Sequence, residues 1–358
     1  MIYRQAGQFR TTYAEDSRAL PLREDRVAMA FLLVVAFVVI PLTASDYWLS
    51  AILIPWLALA LVAQGQNILM GYAGQLSLGS AGFMAAGAFA CYNLILRVDG
   101  MPFLVALILS GVIAALIGIV FGLPSLRVRG LYLAVATLAS QFFIVWVIDK
   151  FGWFKNYDTS GIITTQHMEI FGYAFTTPAQ MYLVVLGVVA VLTWVASNMA
   201  RGSIGRNWMA VRDMDVAAEV IGIPIMRTKL LAFAVSSFYC GVAGALYAYA
   251  YVGTVQPEDL NLDLSFRILF MVIVGGIGSI MGSFLGAAFI VLLPILLEVG
   301  FNGASHLFGL NLTPGTVSMV QLLVFGALII FFLIVEPHGL ARLWQITKEK
   351  LRLWPFPH

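Results

Sequence analysis

Charged side chains are scarce in this sequence. Its 358 residues include 20 Lys and Arg and 18 Asp and Glu, and 61% of them are hydrophobic. A soluble globular domain carries about 25% charged residues, so a chain with 11% is excluded from that class. From Val27 to Leu123 the sequence has three charged residues, Asp46, Arg97 and Asp99, and its apolar runs are long enough to cross a bilayer several times. The chain is predicted to be a polytopic membrane protein.

Cysteine and histidine are also scarce, and the excess of positive charge is small. Cys91 and Cys240 both lie in apolar segments, so no disulfide framework is expected. A formal net charge of +2 gives no basic surface for nucleic acid. The histidines do not pair at metal-ligand spacing, so neither a metal site nor a membrane-embedded enzyme is expected; they are His167, His306, His338 and His358.

Two further absences concern the supply of energy. No acidic residue lies near the middle of a predicted span, although ion-coupled carriers commonly use such charges. No G-x-x-x-x-G-K-[ST] motif is present, so the chain itself is not expected to bind ATP. The glycines from Gly276 to Gly286 lie between apolar runs and indicate helix packing, not a dinucleotide site. Another subunit is predicted to supply the energy.

Ten apolar segments predict an all-α transmembrane helical bundle. The third segment is rich in glycine and is expected to be broken or re-entrant, and the eighth and ninth join through glycines, so the expected range is eight to ten crossings. The segments are 27–44, 48–66, 74–96, 101–123, 131–148, 181–198, 230–252, 266–280, 283–300 and 317–336.

The distribution of Lys and Arg predicts the orientation of the bundle. If both termini are cytoplasmic, all but four of the 20 cations lie inside, as the positive-inside rule requires. The predicted organisation is then a cytoplasmic tail (1–26), a transmembrane domain (27–336) and a second cytoplasmic tail (337–358). Within the transmembrane domain, loop 149–180 is external and loop 199–229 is cytoplasmic. The aromatic residues of the external loop suit either an interfacial belt or a docking surface for an external partner.

The cytoplasmic loop reads MARGSIGRNWMAVRDMDVAAEVIGIPIMRTK and predicts two short amphipathic helices. The first carries Ile204, Trp208 and Val211 at helical spacing and is expected to end near Asp213. The second is expected to begin at an N-cap, Asp213 or Asp215, and to stop at Gly222 before Pro224. Its apolar strip consists of Val216, Ala217, Val220 and Ile221. These helices lie either on the membrane surface or against a cytoplasmic motor subunit.

Residues 64–93 combine small residues with amide and hydroxyl side chains. The glycines are suited to close helix packing, whereas the polar side chains need partners at membrane depth or a water-lined cavity. An interrupted helix here would free backbone groups to meet a polar solute.

Three motifs resemble one known family. Asn67-Ile-Leu-Met-Gly71-Tyr-Ala-Gly74-Gln75-Leu-Ser77-Leu-Gly79 resembles the signature of the LivM-type permeases of branched-chain amino acid ABC importers. The stretches from Gly275 to Gly286 and from Glu336 to Leu340 resemble the C-terminal part of that family. Ala217-Ala218-x-x-x-Gly222 is similar to the coupling-loop motif of ABC importer permeases, with Val216 where that motif has Glu.

The resemblance implies a function and a set of partners. The chain would be a permease subunit in the bacterial inner membrane, moving branched-chain or other hydrophobic amino acids by alternating access. It would pair with a LivH-type second permease and two cytoplasmic ATPase subunits, which bind ATP and Mg²⁺, and receive solute from a periplasmic binding protein. The residues expected to couple the ATPases to the spans are Arg206, Arg212, Asp213, Asp215, Ala217, Ala218, Glu219 and Gly222. Those expected along the translocation pathway are Gln75, Ser77 and Gly79, supported by Asn67.

Two alternatives stay open at this point. The same kind of importer also suits urea, short amides or aromatic acids, because no residue in the sequence identifies the solute. An ion-coupled secondary transporter that works alone is a second alternative.

Overall fold

Helices account for most of the chain. Within residues 11–12, 23–125, 131–157, 163–165, 168–170, 173–175, 177–308, 314–335 and 339–353, a computed structural model contains fourteen α-helices. They are α1 (Arg23–Val34), α2 (Ile40–Thr43), α3 (Ile54–Asn67), α4 (Ser80–Arg97), α5 (Phe103–Ser125), α6 (Leu131–Lys150), α7 (Pro178–Arg201), α8 (Ser203–Asp213), α9 (Asp215–Val220), α10 (Ile225–Leu246), α11 (Leu262–Gly275), α12 (Ile280–Phe308), α13 (Pro314–Val335) and α14 (Gly339–Leu353). Most of the tail 1–26, the cations Arg127 and Arg129, and residues 336–338 of the Glu336–Leu340 motif lie outside the described residues.

Short π-helical turns lengthen several of these helices. Val35–Val39 joins α1 to α2, Trp48–Leu53 precedes α3, Ile68–Tyr72 follows α3, and Tyr247–Val252 follows α10. In the described part of the chain, seven helical segments are long and apolar enough to cross a membrane. They are Asp25–Thr43, Trp48–Tyr72, Phe103–Pro124, Tyr132–Lys150, Pro178–Arg201, Ile225–Val252 and Ile280–Gly300. The chain is therefore a polytopic helical membrane protein.

Two of the remaining helices lie next to glycine-rich breaks, and one of them is short. Helix α11 has 14 residues and rises about 21 Å at 1.5 Å per residue, less than the roughly 30 Å of hydrocarbon. Helix α4 has 18 residues and begins at Ser80, six residues later than the start predicted for the third segment. Residues 73–79, which precede α4, and residues 276–279, which follow α11, are both non-helical and glycine-rich.

Four short strands correct the expectation of a purely α-helical chain. Strand β1 (Ile163–Thr164) pairs antiparallel with β4 (Thr254–Val255), and β2 (Met168–Ile170) pairs antiparallel with β3 (Tyr173–Phe175). Three of the four, β1, β3 and β4, are rich in β-branched or aromatic residues, which favour strands. The β1–β4 pair joins the predicted external loop 149–180 to the segment after α10.

The core of the bundle is formed around α3, α4 and α10. In spans Trp48–Tyr72 and Ile225–Val252, 72% and 67% of the most apolar stretch is buried, against 0% in Asp25–Thr43. Glycines let these core helices touch backbone to backbone: a Cβ on Gly244 would lie 2.6 Å from the Cα of Met84. Small residues at such contacts are how helices associate where lipid removes the hydrophobic driving force.

Candidate functional site

The first loop helix, α8, is anchored to the start of α10 by a buried tryptophan. Trp208 is buried and its indole Nε1 donates to the carbonyl of Thr228 at 3.0 Å. Val211 is buried as well, whereas Ile204, placed on the same strip by its spacing, is exposed. The helix ends at Asp213, as predicted.

The second loop helix, α9, turns its apolar strip to the outside. Val216, Val220 and Ile221, called here the docking strip, are 67%, 83% and 73% exposed. Ala217 is exposed beside the strip, whereas Ala218 is buried beneath it. The strip has no cover within the described chain, so it is available to another molecule.

The ends of α9 differ in how well the sequence predicts them. The predicted N-cap at Asp213 or Asp215 is wrong, because Met214 is the N-cap and no side chain caps the helix. Asp215 is the first helical residue, where the helix dipole favours a carboxylate. Gly222 ends the helix as predicted: its φ of +89° is left-handed, and the following Ile223 N–H donates to the Ala218 carbonyl at 2.9 Å.

Most charged residues of the loop face away from the bundle. Arg206 is exposed, and its Nη1 donates to the carbonyl of Arg201 at 3.1 Å. Asp213 and Glu219 are also exposed, and Asp215 is half-buried.

Arg212 is also partly exposed, but it differs from these residues because its guanidinium contacts the bundle. Its Nη1 donates to the carbonyl of Gly71 at 2.7 Å, and its Nε donates to Asp213 Oδ1 at 2.8 Å. The aliphatic stem of Arg212 lies over Gly74, where an added Cβ would be 2.6 Å from Arg212 Cγ. Gly74 also has a φ of +68°, so both the turn and the arginine require glycine there.

The two glycine-rich breaks meet beside Arg212. A Cβ on Gly71 would lie 2.8 Å from the Cα of Gly278, so the two backbones are in contact. The segments 71–74 and 276–279 are called here the glycine crossing. It joins the end of the α3 span to the start of α12.

Asn67 fastens the glycine crossing from within. Its side chain is almost wholly buried, its Oδ1 accepts from the Gly278 N–H at 2.7 Å, and its Nδ2 donates to the Ser279 carbonyl at 2.8 Å. Nδ2 also contacts the Gly276 carbonyl at 3.4 Å and Ser283 Oγ at 3.0 Å. The buried amide of Asn67 is thus paired, mainly with backbone N–H and C=O groups that have no helical partners where the helices are interrupted.

Ser77 and Gly79 hold the first break against its neighbours. The Ser77 carbonyl accepts from Gln66 Nε2 at 2.6 Å, and Ser77 Oγ accepts from the Gly79 N–H at 3.3 Å. A Cβ on Gly79 would lie 2.8 Å from the carbonyl oxygen of Thr137 in α6. Both residues are buried in protein contacts.

Gln75 is the exception among the predicted pathway residues. It is 3% exposed, and within the described chain neither its Nε2 nor its Oε1 has a hydrogen-bond partner. A buried primary amide without partners is costly, so a polar ligand or water is expected there in the working protein.

Sequence reasoning missed a second polar cluster close to this break. Ser265 of α11 donates from Oγ to Gln141 Oε1 of α6 at 2.6 Å and accepts from the Ala81 N–H of α4 at 2.9 Å. The available signal was a glutamine in the apolar run 131–148 and a serine just before the run 266–280. Its partners are 124 and 184 residues away along the chain, so spacing alone does not reveal them.

A cavity of about 520 Å³ lies elsewhere in the bundle, between α4, α5 and α6. Apolar side chains line most of it, including Phe89, Ile117 and Ile148, with Arg97 and Trp153 at one end. None of the four predicted pathway residues lines this cavity.

Comparison with known proteins decides the family. The sequence model of the family described as branched-chain amino acid transport system / permease component matches residues 48–333. The chain belongs to this family. The permease is also a multi-pass protein of the inner membrane, since its family and its seven apolar helices agree on this.

Three relatives show how far the similarity extends. The permease is 30% identical over 312 residues to the high-affinity branched-chain amino acid transport system permease protein LivM of Escherichia coli K12, covering 81% of this chain and 68% of that protein. It is 24% identical over 241 residues to the probable branched-chain amino acid transport permease protein LivM of Methanocaldococcus jannaschii, covering 66% and 67%. It is 28% identical over 162 residues to the L-arabinose transport system permease protein AraH of Escherichia coli, covering 45% and 46%. No solved structure shows a significant match.

Membership of a transport system implies further subunits. The permease of an ABC transport system works with another permease and with ATPases. The LivM-type resemblance read from the glycine-rich motifs is therefore confirmed.

Proposed function

We propose that this permease moves branched-chain or other hydrophobic amino acids into the cell as part of an ATP-driven ABC importer working by alternating access. The observation that carries the proposal is the LivM similarity, which spans 81% of the chain, whereas the similarity to the arabinose permease spans 45%. The exposed docking strip is the structural counterpart, because an importer driven by separate ATPases needs a cytoplasmic surface to receive them.

We further propose ten crossings with both termini cytoplasmic. Lys348 Nζ lies 2.7 Å from Asp25 Oδ1, so the start of the first span and the segment after the last share one side of the membrane. An even number of crossings between them follows. The seven apolar spans together with α4, α11 and α13 make ten, where α11 completes its crossing with the non-helical residues 276–279, whose backbone is held by Gly71 and Asn67. The β1–β4 pair supports the same topology, because it joins two loops that both lie outside in this arrangement.

The partners follow from this arrangement. The docking strip faces one of two ATPase subunits. These subunits hold the ATP and Mg²⁺ and carry out hydrolysis, because the chain has no phosphate-binding motif of its own. A LivH-type permease completes the membrane pair. A periplasmic binding protein delivers solute at the side of the β strands.

Reconstitution tests the proposed function. The permease, its second permease and the ATPases are placed in proteoliposomes with the binding protein outside, and uptake of radiolabelled leucine is measured. Uptake is expected to require ATP on the ATPase side and to be insensitive to excess urea, short amides or aromatic acids. Uptake by the permease alone on a sodium or proton gradient would show a secondary transporter instead.

A variant next to the docking strip accompanies this assay. Ala217→Asp places a carboxylate beside an apolar interface, so we expect the ATPase recovered with the purified permease to fall at least about tenfold. Ser203→Asp is the matched control, since it adds the same charge to the same loop at the first turn of α8, where the helix dipole favours it. If the same amount of ATPase is recovered with both variants, the ATPases bind at another surface of the permease.

We also propose that Gln75 contacts the solute, with Asn67, Ser77 and Gly79 shaping the backbone around it. Gln75→Leu removes an unpaired buried amide, so the thermal stability of the permease is expected to stay level or rise. The KM for leucine uptake should nevertheless rise about tenfold, the value of one lost hydrogen bond.

Gln64 provides the comparison for Gln75. Its Nε2 donates to Thr193 Oγ1 at 2.9 Å, so Gln64→Leu breaks a satisfied pair between α3 and α7. This control should lose stability and keep its KM. If Gln75→Leu also keeps its KM, Gln75 lies outside the pathway.

A further inference from the structure

Arg212 hydrogen-bonds the cytoplasmic loop to the glycine crossing. We propose that Arg212 transmits the motion of α8 and α9 to the glycine crossing, and so acts as a positioning residue that links ATP hydrolysis to the opening of the pathway. This inference rests on the proposed importer function. It concerns the inner side of the loop, opposite the surface that receives the ATPases.

The first step of the argument is the direction of Arg212. Arg206 lies six residues earlier on the same helix, is exposed as Arg212 is, and donates only to a nearby carbonyl at the adjoining end of α7. Arg212, at the last turn of α8, instead donates to the carbonyl of Gly71, which is 141 residues away along the chain. A hydrogen bond between residues so far apart in the sequence connects two separate structural elements.

The second step is the nature of the acceptor. Gly71 lies in the π-helical turn Ile68–Tyr72 that ends the α3 span, and carbonyls in the last turn of a helix lack intrahelical partners. Hydrogen bonds to charged donors are stronger than neutral ones. Gly74 then leaves room for the arginine stem, so this glycine of the signature motif is explained by the side chain that it admits.

The third step is what lies behind Gly71. Its backbone touches Gly278, and Asn67 binds the Gly278 N–H at 2.7 Å and the Ser279 carbonyl at 2.8 Å. Farther along α12, the carbonyl of Phe284 accepts from Trp56 Nε1 at 3.0 Å. A displacement of Arg212 therefore acts on the end of α3 and the start of α12 together.

The fourth step is how the loop holds its end of the contact. Trp208 fixes α8 to the base of α10, and Arg212 lies one turn farther along, immediately before the exposed α9. Force applied at the docking strip would therefore rotate α8 about its Trp208 anchor. Arg212 would be displaced more than the anchored part of the helix. Asp213 Oδ1 accepts a hydrogen bond from Arg212 Nε, which fixes the orientation of the guanidinium plane.

The test uses the complete reconstituted importer with Arg212→Met. Methionine keeps an unbranched stem over Gly74 and removes the guanidinium, so folding is preserved while the bond to Gly71 is lost. We expect ATPase recovery and ATP hydrolysis to stay within about twofold of wild type, and leucine transported per ATP hydrolysed to fall at least about tenfold, within the usual range of coupling between sites. Arg212→Lys should restore part of this ratio, because the ammonium keeps the charge and a donor for the Gly71 carbonyl but lacks the planar guanidinium that binds Gly71 and Asp213 together.

Arg227→Met is the matched control, because it removes another exposed arginine of the same cytoplasmic loop that has no assigned role in coupling, and it should keep the wild-type ratio of transport to hydrolysis. If Arg212→Met transports normally, or if it loses the ATPases as well, Arg212 is not the transmitting contact. Loss of folding in Arg212→Met together with an unchanged ratio in Arg212→Lys would also overturn the inference. Failure of the wild-type permease to recover ATPases would instead refute the proposed function.

Discussion

Gly87→Ala is expected to disrupt the permease more severely than any other single-methyl addition discussed above. Gly87 of α4 faces Gly241 of α10, and an added Cβ would overlap the Gly241 carbonyl, with the carbonyl carbon 2.5 Å away. Backbone does not move aside as a flexible side chain does, so α4 and α10 have to separate. Overpacking of a close core usually costs about 1–3 kcal/mol, and a backbone clash at the centre lies at or above the upper end.

The stability of detergent-solubilised protein measures this effect. We expect a large fall in Tm and in the monodisperse fraction on size-exclusion chromatography. Gly187→Ala in α7 is the control, since a Cβ there meets nothing within 4 Å and alanine favours helix. Its Tm should stay level or rise. Similar Tm values for the two variants would mean that α4 and α10 do not pack as described.

Asn67→Leu is expected to have the second largest effect. The substitution leaves the buried Gly278 N–H and the Ser279 carbonyl without their partner, and unpaired buried groups cost about 1–3 kcal/mol each. Hydrogen bonds between membrane helices average less, about 0.6 kcal/mol, so we expect a total loss of about 2–4 kcal/mol. ATP-driven uptake should be lost as well, because the glycine crossing no longer holds its geometry.

Two further variants separate the hydrogen bonds from the change in polarity. Asn67→Asp has the same shape and keeps an acceptor for the Gly278 N–H, but it turns an oxygen toward the Gly276 and Ser279 carbonyls and should also lose uptake. Asn198→Leu makes the same exchange at an exposed position of α7 and should have little effect. An Asn67→Leu protein as stable and active as Asn198→Leu would contradict the role assigned to Asn67.

Much of the fold could be predicted from the sequence. Apolar runs predicted membrane helices at about the right places, because a bilayer demands about 20 apolar residues per crossing whatever the neighbours are. The two loop helices and the stop at Gly222 were also predicted, since periodicity and a left-handed glycine are local signals. The short strands and the Met214 N-cap were not, because strand pairing between residues 163 and 255 and a cap without a side-chain bond leave no local pattern.

The candidate site was predicted in composition but not in arrangement. Asn67, Gln75, Ser77 and Gly79 were chosen for their polarity at membrane depth, and all four are buried. Their different contacts were not visible in the sequence: the Asn67 side chain bonds to backbone more than 200 residues away, and the Gln75 side-chain amide has no partner in the described chain. Arg212 was predicted to act in coupling, but the sequence did not show that it faces the bundle.

The sequence by itself determined that this chain lies in a membrane and carries a family signature of glycines and amides. Those conclusions depend on composition and on short motifs, which the solvent and local geometry constrain directly. Only the tertiary structure decided why the glycines are needed: two distant breaks cross at Gly71 and Gly278, Asn67 binds them, and Arg212 reaches them from the cytoplasmic loop. The reason is physical, because backbone contact between separate helices depends on their relative position and leaves no periodicity in either segment.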